Sequence, residues 1–312
     1  MKAIRLHGRG GADHLVYEDA PQPSPGPGEV LVRVRATAVI ANELTWDLTY
    51  QTPAGDPRPF PIAGHDLSGA VAELGEGVAG FAIGDPVYAL TAFGRDGAEA
   101  EYAIALANEL APRPRTLDDT QAAAVPLAAL TAWQALFVHA GASKGQTVLI
   151  HGAAGGVGTY AVQFARWADA RVVATASGRD SDFLRDLGVD EAIDYATTPF
   201  EDAVHDVDVV FDMVGGETLA RSWQVVKPTG VIVSVVSPPP SGQTKKNGAR
   251  FVWFIVEPSG EQLRQIGALL DSGQVRPIVD QVFPLADARL AFVAAAQNHP
   301  RGKIVLRVDG DA

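Results

Sequence analysis

The chain has 312 residues, of which 47% are hydrophobic, so it can bury a sizeable core and is expected to divide into two domains. Its formal net charge is −12 and no basic stripe offsets the acidic residues, which argues against a nucleic-acid partner. It contains no cysteine, which excludes disulfides, iron–sulfur clusters, thiolate zinc sites and a cysteine nucleophile and is compatible with a reducing, cytoplasmic location.

The first part of the chain is predicted to be rich in β-structure. Residues 30–35 alternate as a strand does, and residues 69–75 form a second strand that ends in glycine turns. The proline-rich segment 21–28 can be neither helix nor central strand and is predicted to be a surface connection. The first residues become polar before an apolar signal-peptide core can form, so secretion is not expected.

From about Thr120 the pattern changes to helices that alternate with strands. The apolar tract from Ala122 to Ala142 is interrupted by a proline and by polar residues, which predicts a buried helix and no membrane partner. Such alternation predicts an α/β fold with a parallel sheet between two layers of helices. The predicted elements are a helix near 120–140, strand 147–151, helix 157–168, strand 171–175, helix 181–187, strands 207–212 and 230–236, helix 261–271 and a closing strand 303–308 that returns to the first domain.

A glycine-rich turn follows the predicted strand 147–151 and leads directly into a helix. It reads Ala153-x-Gly155-Gly156-x-Gly158, the dinucleotide-binding fingerprint G-x-G-x-x-G with alanine in the first position. Gly155 is expected to let the backbone approach a pyrophosphate, and Gly158 to let the helix pack against the strand. The N–H groups at the helix start would hold the phosphates. The surrounding βαβ pattern favours a dinucleotide site over an ordinary tight turn.

The second strand of this βαβ unit ends without a carboxylate. An NAD-specific site usually places an acid about 20 residues after the glycine turn to bind the ribose 2′-hydroxyl. Here the chain reads Ser177-Gly178-Arg179, and a hydroxyl with a guanidinium suits a 2′-phosphate, which predicts NADP(H) as the cofactor. Asp180 is an acid close to this position and would favour NAD, but it lies where the next helix needs an N-cap. A solvated surface role for Arg179 is the alternative.

Several short motifs follow one another along the chain in an order that is more specific than any one of them. They are Pro27–Val32, Gly64–Gly69, Val78–Val87, Ala100–Tyr102, Leu130–Leu136, the glycine turn, Leu187–Asp190, Asp212–Gly216 and Gly302–Leu306. With them the whole chain resembles the zinc-independent quinone oxidoreductases of the medium-chain dehydrogenase/reductase superfamily. The resemblance implies a GroES-like β-barrel domain, residues 1–119 completed by 256–312, and a doubly wound Rossmann NADP-binding domain, residues 120–255. It also implies an active site in the cleft between the domains and a homodimer formed through the edge of the Rossmann sheet.

The resemblance also extends the expected cofactor site. It implies that Tyr195 lies near the adenosine phosphate and that Thr131 contacts the nicotinamide end. From its residue type alone, Thr131 could equally be a helix hydroxyl bonded to a carbonyl one turn earlier. The residues predicted to bind the cofactor are Ala153, Gly155, Gly156, Val157, Gly158, Ser177, Arg179, Tyr195 and Val214.

Zinc-dependent members of the superfamily hold a catalytic metal with a cysteine, the histidine of a G-H-E motif and a third ligand. The segment Gly64-His65-Asp66 keeps the histidine, but there is no thiolate near Val39-Ile40-Ala41, and the third-ligand position falls near Leu127, which cannot coordinate a metal. One imidazole cannot form a tetrahedral site, so no metal is expected. His65 is then predicted to face the cleft or to bond to the backbone, and Asp66 to be a buried hydrogen-bond acceptor.

Without a metal, the hydride of NADPH must go to a carbon that is already electrophilic, as in quinones and conjugated enones or enals. The family segment V-N-P-x-D corresponds to residues 39–43, where Ile40 replaces the usual polar residue and makes the pocket drier. The catalytic candidates are Asn42 and Tyr50, as hydrogen-bond donors to the developing oxyanion, and Thr131, with the ribose hydroxyl as a further donor. An apolar substrate pocket is predicted from Ile40, Trp46, His65, Phe93 and Trp253, although such aromatic residues often belong to a core or a dimer interface.

The prediction is therefore an NADPH-dependent oxidoreductase that acts on a small apolar quinone or enone. One alternative is an enoyl thioester reductase, which would need basic residues near the pocket, and the only such cluster is residues 245–250. Another is an NADPH-binding redox sensor or structural protein with little turnover, because its nucleotide site would look the same.

Overall fold

The computed structural model describes residues 1–52, 54–239, 245–246, 248–297 and 299–308. The chain forms two compact units. The first, called the β-rich unit, consists of Met1–Leu130, Glu257–Gly273 and Pro277–Ala312. The second, called the parallel-sheet unit, consists of Thr131–Val256 and Gln274–Arg276.

Strands and helices follow one another along the described residues, with short 3-10 turns between some of them. The strands are β1 (Lys2–Leu6), β2 (Leu15–Asp19), β3 (Glu29–Ala38), β4 (Asp66–Leu74), β5 (Pro86–Leu90), β6 (Tyr102–Leu106), β7 (Leu110–Pro112), β8 (Thr147–His151), β9 (Arg171–Ala176), β10 (Glu191–Asp194), β11 (Val207–Asp212), β12 (Val226–Ser234), β13 (Lys245–Lys246), β14 (Ala249–Trp253), β15 (Val279–Pro284) and β16 (Lys303–Arg307). The helices are α1 (Asp47–Tyr50), α2 (Asp119–Ala123), α3 (Pro126–Trp133), α4 (Gly156–Trp167), α5 (Ser181–Leu187), α6 (Phe200–Ala203), α7 (Gly216–Ser222), α8 (Gly260–Asp271) and α9 (Ala288–Gln297).

The β-rich unit is built around β3, which pairs antiparallel with β4, β6 and β16. The alternating side chains of Val30, Val32 and Val34 point into one apolar core. The sheet has the order β15-β16-β3-β4-β5-β7, and β1 and β2 form a separate ribbon. The pairing of β16 with β3 confirms that the closing strand returns to the first domain.

The parallel-sheet unit has the strand order β10-β9-β8-β11-β12-β14-β13. All strands except the short edge strand β13 run parallel. In chain order this is the 3-2-1-4-5-6 arrangement of a doubly wound dinucleotide-binding fold, in which ligands bind at the carboxyl edge where the order reverses. The reversal here lies between β8 and β11.

The prediction of one helix near 120–140 is wrong. Asp118 and Gln121 form a capping box that starts α2, and α3 begins at Pro126. Proline has no N–H to continue a helix but suits the first helical position, so it separates the two helices. From Gln134 to Ala140 the chain continues as a π-helix. No helix among the described residues is both long enough and apolar enough to cross a bilayer.

The two units meet along the chain at Leu130 and Thr131, whereas the sequence placed the boundary at residues 119 and 120. The physical reason is that α2 packs on β3 and β4. Ala123 and Ala124 are buried in a small core that also contains residues of β3 and β16.

Candidate functional site

The glycine turn links the carboxyl end of β8 to the amino end of α4. β8 lies between β9 and β11 and ends at His151, and Gly152 then adopts a φ of +79°, which favours glycine. Gly155 is the residue before the helix, and Gly155, Gly156 and Val157 are half-buried. The first N–H groups of α4 therefore lie at the carboxyl edge of the sheet, where a dinucleotide phosphate binds in folds of this kind.

Gly155 and Gly158 differ in their surroundings. A Cβ atom at Gly158 would overlap the carbonyl oxygen of Gly152 and the backbone of Ala153, so only glycine lets α4 pack this closely. A Cβ atom at Gly155 would meet only the carbonyl oxygen of Gly152, at 3.5 Å, which is an ordinary contact. The open side of the turn therefore lies at Gly155.

The end of β9 carries the side chains predicted to select the cofactor. Ser177 is half-buried and precedes the short 3-10 helix Gly178–Asp180. The side chain of Arg179 is 56% exposed, and its Nε atom lies 3.6 Å from Oδ2 of Asp180. Asp180 directly precedes α5, as predicted, but its side chain makes no capping hydrogen bond there. The carboxyl ends of parallel strands lie at the same edge of a sheet. Ser177 and Arg179 therefore lie at the same edge as the glycine turn.

The sequence showed no acid at the end of β9, but the fold brings one there. Asp194, the last residue of β10, is in register with Ala176, the last residue of β9. Its Oδ2 atom lies 2.5 Å from the place that a Cβ atom at Gly178 would take. A count of residues after the glycine turn could not find Asp194, because this acid comes from the neighbouring strand.

Tyr195 and Val214 complete the predicted cofactor-binding set. Tyr195 is 68% exposed, and its N–H donates to the carbonyl oxygen of Ala176 at 3.2 Å. Val214 is 51% exposed in the loop after β11, where Oδ1 of Asp212 accepts hydrogen bonds from the N–H groups of Val214 and Gly215 at 3.2 and 2.9 Å. Since β8, β9 and β11 are parallel neighbours, all these predicted residues lie along one edge of the sheet.

His151 is a buried polar residue beneath the glycine turn that sequence reasoning missed. Its Nδ1 atom lies 2.9 Å from Oγ1 of Thr175, and its Nε2 atom lies 3.1 Å from Oγ of Ser222. Ser222 donates its own proton to the carbonyl oxygen of Thr218, so Nε2 carries the ring proton and Nδ1 accepts from Thr175. Burial lowers the pKa of His151 to about 4, which keeps the ring neutral and able to tie β8 to β9 and α7.

His65 in the β-rich unit is almost fully buried, at 1% exposure. Its Nε2 atom lies 3.2 Å from Oε1 of Glu43, and its Nδ1 atom lies 3.2 Å from Oγ1 of Thr91. Oε1 of Glu43 also accepts a hydrogen bond from the N–H of Gly64 at 2.9 Å. The ring therefore bonds to side chains, which differs from the backbone-bonded alternative of the sequence prediction.

Glu99 is a second buried carboxyl group in this region. Neither of its oxygens has a hydrogen-bond partner among the described residues. Its Cγ atom lies 2.7 Å from the place that a Cβ atom at Gly64 would take, so it packs directly on the backbone that binds Glu43. Burial raises the pKa of Glu99 well above its ordinary value, and the charge of Glu43 raises it further. Its surroundings therefore favour the protonated, neutral form of this carboxyl group.

Three of the predicted pocket residues contact one another in the β-rich unit. The ring of Phe93 is edge-on to that of His65 at 5.0 Å and to that of Trp46 at 5.5 Å between centroids. Trp46 and Phe93 are half-buried, so part of each ring is accessible, and Ile40 is buried. Trp253 belongs to the parallel-sheet unit, where it lies on β14 and is 41% exposed.

The candidate hydrogen-bond donors differ in how accessible they are. The hydroxyl of Tyr50 donates its single proton to the carbonyl oxygen of Leu44 at 2.9 Å, and burial raises the pKa of Tyr50. Thr131 is buried in α3, at 5% exposure. Asn42 is exposed, and its side chain makes no capping hydrogen bond to the short 3-10 turn that follows it. Asn42 is therefore the most accessible of the three.

Comparison with known proteins identifies the family. Residues 26–115 match the family model of the alcohol dehydrogenase GroES-like domain, and residues 187–306 match that of a zinc-binding dehydrogenase. The chain is 37% identical over 307 residues to a probable mitochondrial zinc-binding oxidoreductase of Arthroderma benhamiae, and the alignment covers 92% of this chain and 91% of that protein. The chain belongs to the medium-chain dehydrogenase/reductase family.

Other family members confirm the predicted fold class, a GroES-like domain with a Rossmann domain. The solved structure of a quinone oxidoreductase from Coxiella burnetii superposes on this chain with a TM-score of 0.90. The two sequences are 32% identical, and the match covers 99% of each chain. A chloroplastic quinone oxidoreductase of Triphysaria versicolor is 33% identical over 98% of each chain. The names of two relatives place them in organelles, so a cytoplasmic location for this protein stays a prediction.

The family name raises the question of zinc, and the residues present do not fit it. The chain has no cysteine, and the described residues contain no group of three side chains able to hold a metal ion. Both ring nitrogens of His65 already have side-chain partners. Asp66, predicted to be a buried acceptor, takes the N–H of Leu127 at 2.6 Å and pairs with Nζ of Lys303 at 3.1 Å.

Proposed function

We propose that the protein is an NADPH-dependent reductase of quinones or α,β-unsaturated carbonyl compounds. The observation that carries this proposal is the glycine turn at the point where the strand order reverses. Its open side lies at Gly155, where a pyrophosphate would approach the backbone, while Gly158 holds α4 against the sheet. Family membership supports an oxidoreductase, and the names of relatives include quinone and NAD(P)H oxidoreductases.

The proposed cofactor site uses one edge of the parallel sheet. Ser177 would donate a hydrogen bond to the 2′-phosphate of NADPH, Arg179 would add a charge-assisted bond, and Tyr195 would lie beside the adenosine. The loop at Val214 is oriented by Asp212 and would bound the site on its other side. When bound, the reduced nicotinamide supplies a hydride, so the protein has to align the acceptor with it.

The acceptor is proposed to bind to the aromatic residues of the β-rich unit. The accessible parts of Trp46 and Phe93 offer an apolar surface. Because the residues do not fit a polarising zinc ion, the acceptor carbon must itself be electrophilic. The exposed amide of Asn42 would donate a hydrogen bond to the oxyanion that develops on the acceptor.

Oxidation of NADPH, followed by its absorbance, with a panel of acceptors tests this function. Turnover is expected with quinones and short enals and not with primary alcohols, and Gly155→Val should abolish it. Turnover with crotonyl thioesters alone would favour the enoyl thioester reductase. In that alternative the basic cluster 245–250 would bind phosphate, yet Arg250 already donates to the carbonyl oxygen of His139 at 2.6 Å, and Asn247 lies outside the described residues. Cofactor binding without turnover on any acceptor would favour the sensor.

We also propose the homodimer that the resemblance implies. β13 is the edge strand of the parallel sheet and pairs with β14. Trp253, the last residue of β14, is 41% exposed, and Ile255 shortly after it is 57% exposed. An unpaired edge with large apolar side chains can pair with a second copy. Light scattering should give twice the chain mass, and Trp253→Asp should reduce it to the monomer mass. A monomer in the unchanged protein would contradict this assembly.

A further inference from the structure

Asp194 lies at the place where a dinucleotide-binding fold recognises the adenosine ribose. It ends β10, in register with the last residue of β9, and the N–H of the next residue, Tyr195, donates to the carbonyl oxygen of Ala176 at 3.2 Å. In NAD-specific sites the acid that binds the 2′-hydroxyl stands at the end of the second strand of the fold, which here is β9. The parallel pairing of β10 with β9 brings a carboxylate to the same end.

The two oxygens of Asp194 have different surroundings. Oδ1 accepts a hydrogen bond from the N–H of Ala196 at 3.0 Å, which fixes the side chain in the turn after β10. Oδ2 accepts no hydrogen bond from any described residue, and it lies 2.5 Å from where a Cβ atom at Gly178 would be. The absence of a side chain at Gly178 therefore lets this oxygen lie against the loop that carries Ser177 and Arg179.

This carboxylate opposes the neighbouring arginine in the choice of cofactor. Arg179 would attract a 2′-phosphate, whereas a fixed negative charge close to the same loop would repel it. A carboxylate oxygen with a free lone pair is instead a suitable acceptor for a 2′-hydroxyl. We propose that Asp194 is a specificity-determining residue that binds the ribose 2′-hydroxyl and keeps NADH a usable cofactor. This proposal rests on the proposed function, since it deepens the assignment of the same nucleotide site.

The variant Asp194→Asn tests the proposal with little structural change. The amide oxygen of asparagine can still accept from the N–H of Ala196, so the turn should persist, and an unchanged melting temperature would verify this. Removal of the charge is expected to raise the ratio of NADPH affinity to NADH affinity about tenfold, which corresponds to about 1.4 kcal/mol. Glu76→Gln removes one negative charge from an exposed turn of the β-rich unit and should leave the ratio unchanged.

Nucleotide fluorescence titrations with NADPH and NADH provide the readout, with adenosine 2′,5′-bisphosphate and AMP as competitors that lack nicotinamide. In Asp194→Asn the bisphosphate should compete more strongly than in the unchanged protein. AMP should compete equally well or more weakly. An unchanged ratio in Asp194→Asn, with both dinucleotides still bound, would overturn the role of Asp194 alone. Failure of the unchanged protein to bind either dinucleotide would instead overturn the proposed function.

Discussion

The imidazole of His65 is held by the carboxylate of Glu43, with 3.2 Å between Nε2 and Oε1. Since Nδ1 faces Thr91, neither ring nitrogen is left for a metal ion. We therefore expect purified protein to contain no stoichiometric zinc by elemental analysis and to keep its reductase activity in strong chelator. About one zinc per chain, with activity lost on chelation and restored by metal, would contradict this prediction.

The glycine turn allows binding and folding to be tested separately. Gly155→Val should abolish nucleotide binding, because the valine side chain would occupy the place where the pyrophosphate is expected. The melting temperature should change little, because a Cβ atom at this position makes only an ordinary contact with the protein. Gly158→Ala should lower the melting temperature, because its Cβ atom would overlap the carbonyl oxygen of Gly152. Nucleotide titration and thermal unfolding of both variants measure the difference. Full cofactor affinity in Gly155→Val would show that the turn has only a structural role.

Arg179 is expected to contribute to NADPH binding and not to NADH binding. Loss of a charge-assisted bond to phosphate costs about 1.5 to 3 kcal/mol, so Arg179→Ala should weaken NADPH binding at least about tenfold. Affinity for NADH should change little, and Arg171→Ala, at the opposite end of β9, is a matched control. Equal losses for both dinucleotides in Arg179→Ala would assign this arginine to structure and not to phosphate recognition.

The hydroxyl of Tyr50 is expected to stabilise the fold and not to donate a proton in catalysis. Its proton is already donated to the carbonyl oxygen of Leu44, so Tyr50→Phe should lower stability by about 1 kcal/mol and leave kcat nearly unchanged. Asn42→Ala should lower kcat instead, because the exposed amide is the proposed oxyanion donor. Steady-state kinetics of the two variants, beside their unfolding curves, distinguish these roles. A large loss of kcat in Tyr50→Phe would reverse the assignment.

Glu99 is expected to make stability depend on pH. Its pKa in the folded protein is raised above the ordinary value of 4.5, so the unfolded chain releases a proton above this pH that the folded protein retains. The free energy of unfolding then falls as pH rises from about 4.5 towards the raised pKa, by up to about 1.4 kcal/mol per pH unit.

Glu99→Gln removes this dependence because glutamine does not titrate. The difference in stability between Glu99→Gln and the unchanged protein should therefore grow in favour of the variant as pH rises from 5 to 7.5. Glu76→Gln should show no such growing difference. Melting temperatures across this range provide the measurement. A constant difference between Glu99→Gln and the unchanged protein would show that Glu99 titrates as an exposed carboxyl does.

Much of the parallel-sheet unit was predictable from the sequence. The predicted strands 147–151 and 207–212 and the helix 181–187 coincide with β8, β11 and α5. Buried parallel strands are continuous apolar runs, which makes their ends easy to recognise. The sequence reasoning missed β10, which has only four residues, and, in the β-rich unit, β15, which has no fully buried residue and no continuous apolar run.

The candidate site was predictable only where one segment of chain forms it. The glycine turn and the pair Ser177 and Arg179 follow from local spacing. The contacts of His65 with Glu43 and of Asp194 with the loop at Gly178 depend on distant segments that the sheets bring together. Spacing along the chain carries no sign of such pairs, and both involve acids that the sequence reasoning had not assigned to a site.

The pairing of β16 with β3 determines the order in which the two units can fold during synthesis. All strands of the parallel sheet lie between Thr147 and Trp253, so that sheet can form while later residues are still being made. The sheet of the β-rich unit is complete only when Lys303–Arg307 reach β3, because Ala36–Ala38 of β3 pair with this strand. During this interval the nascent chain exposes a short apolar strand edge at Ala36–Ala38, which β16 then covers.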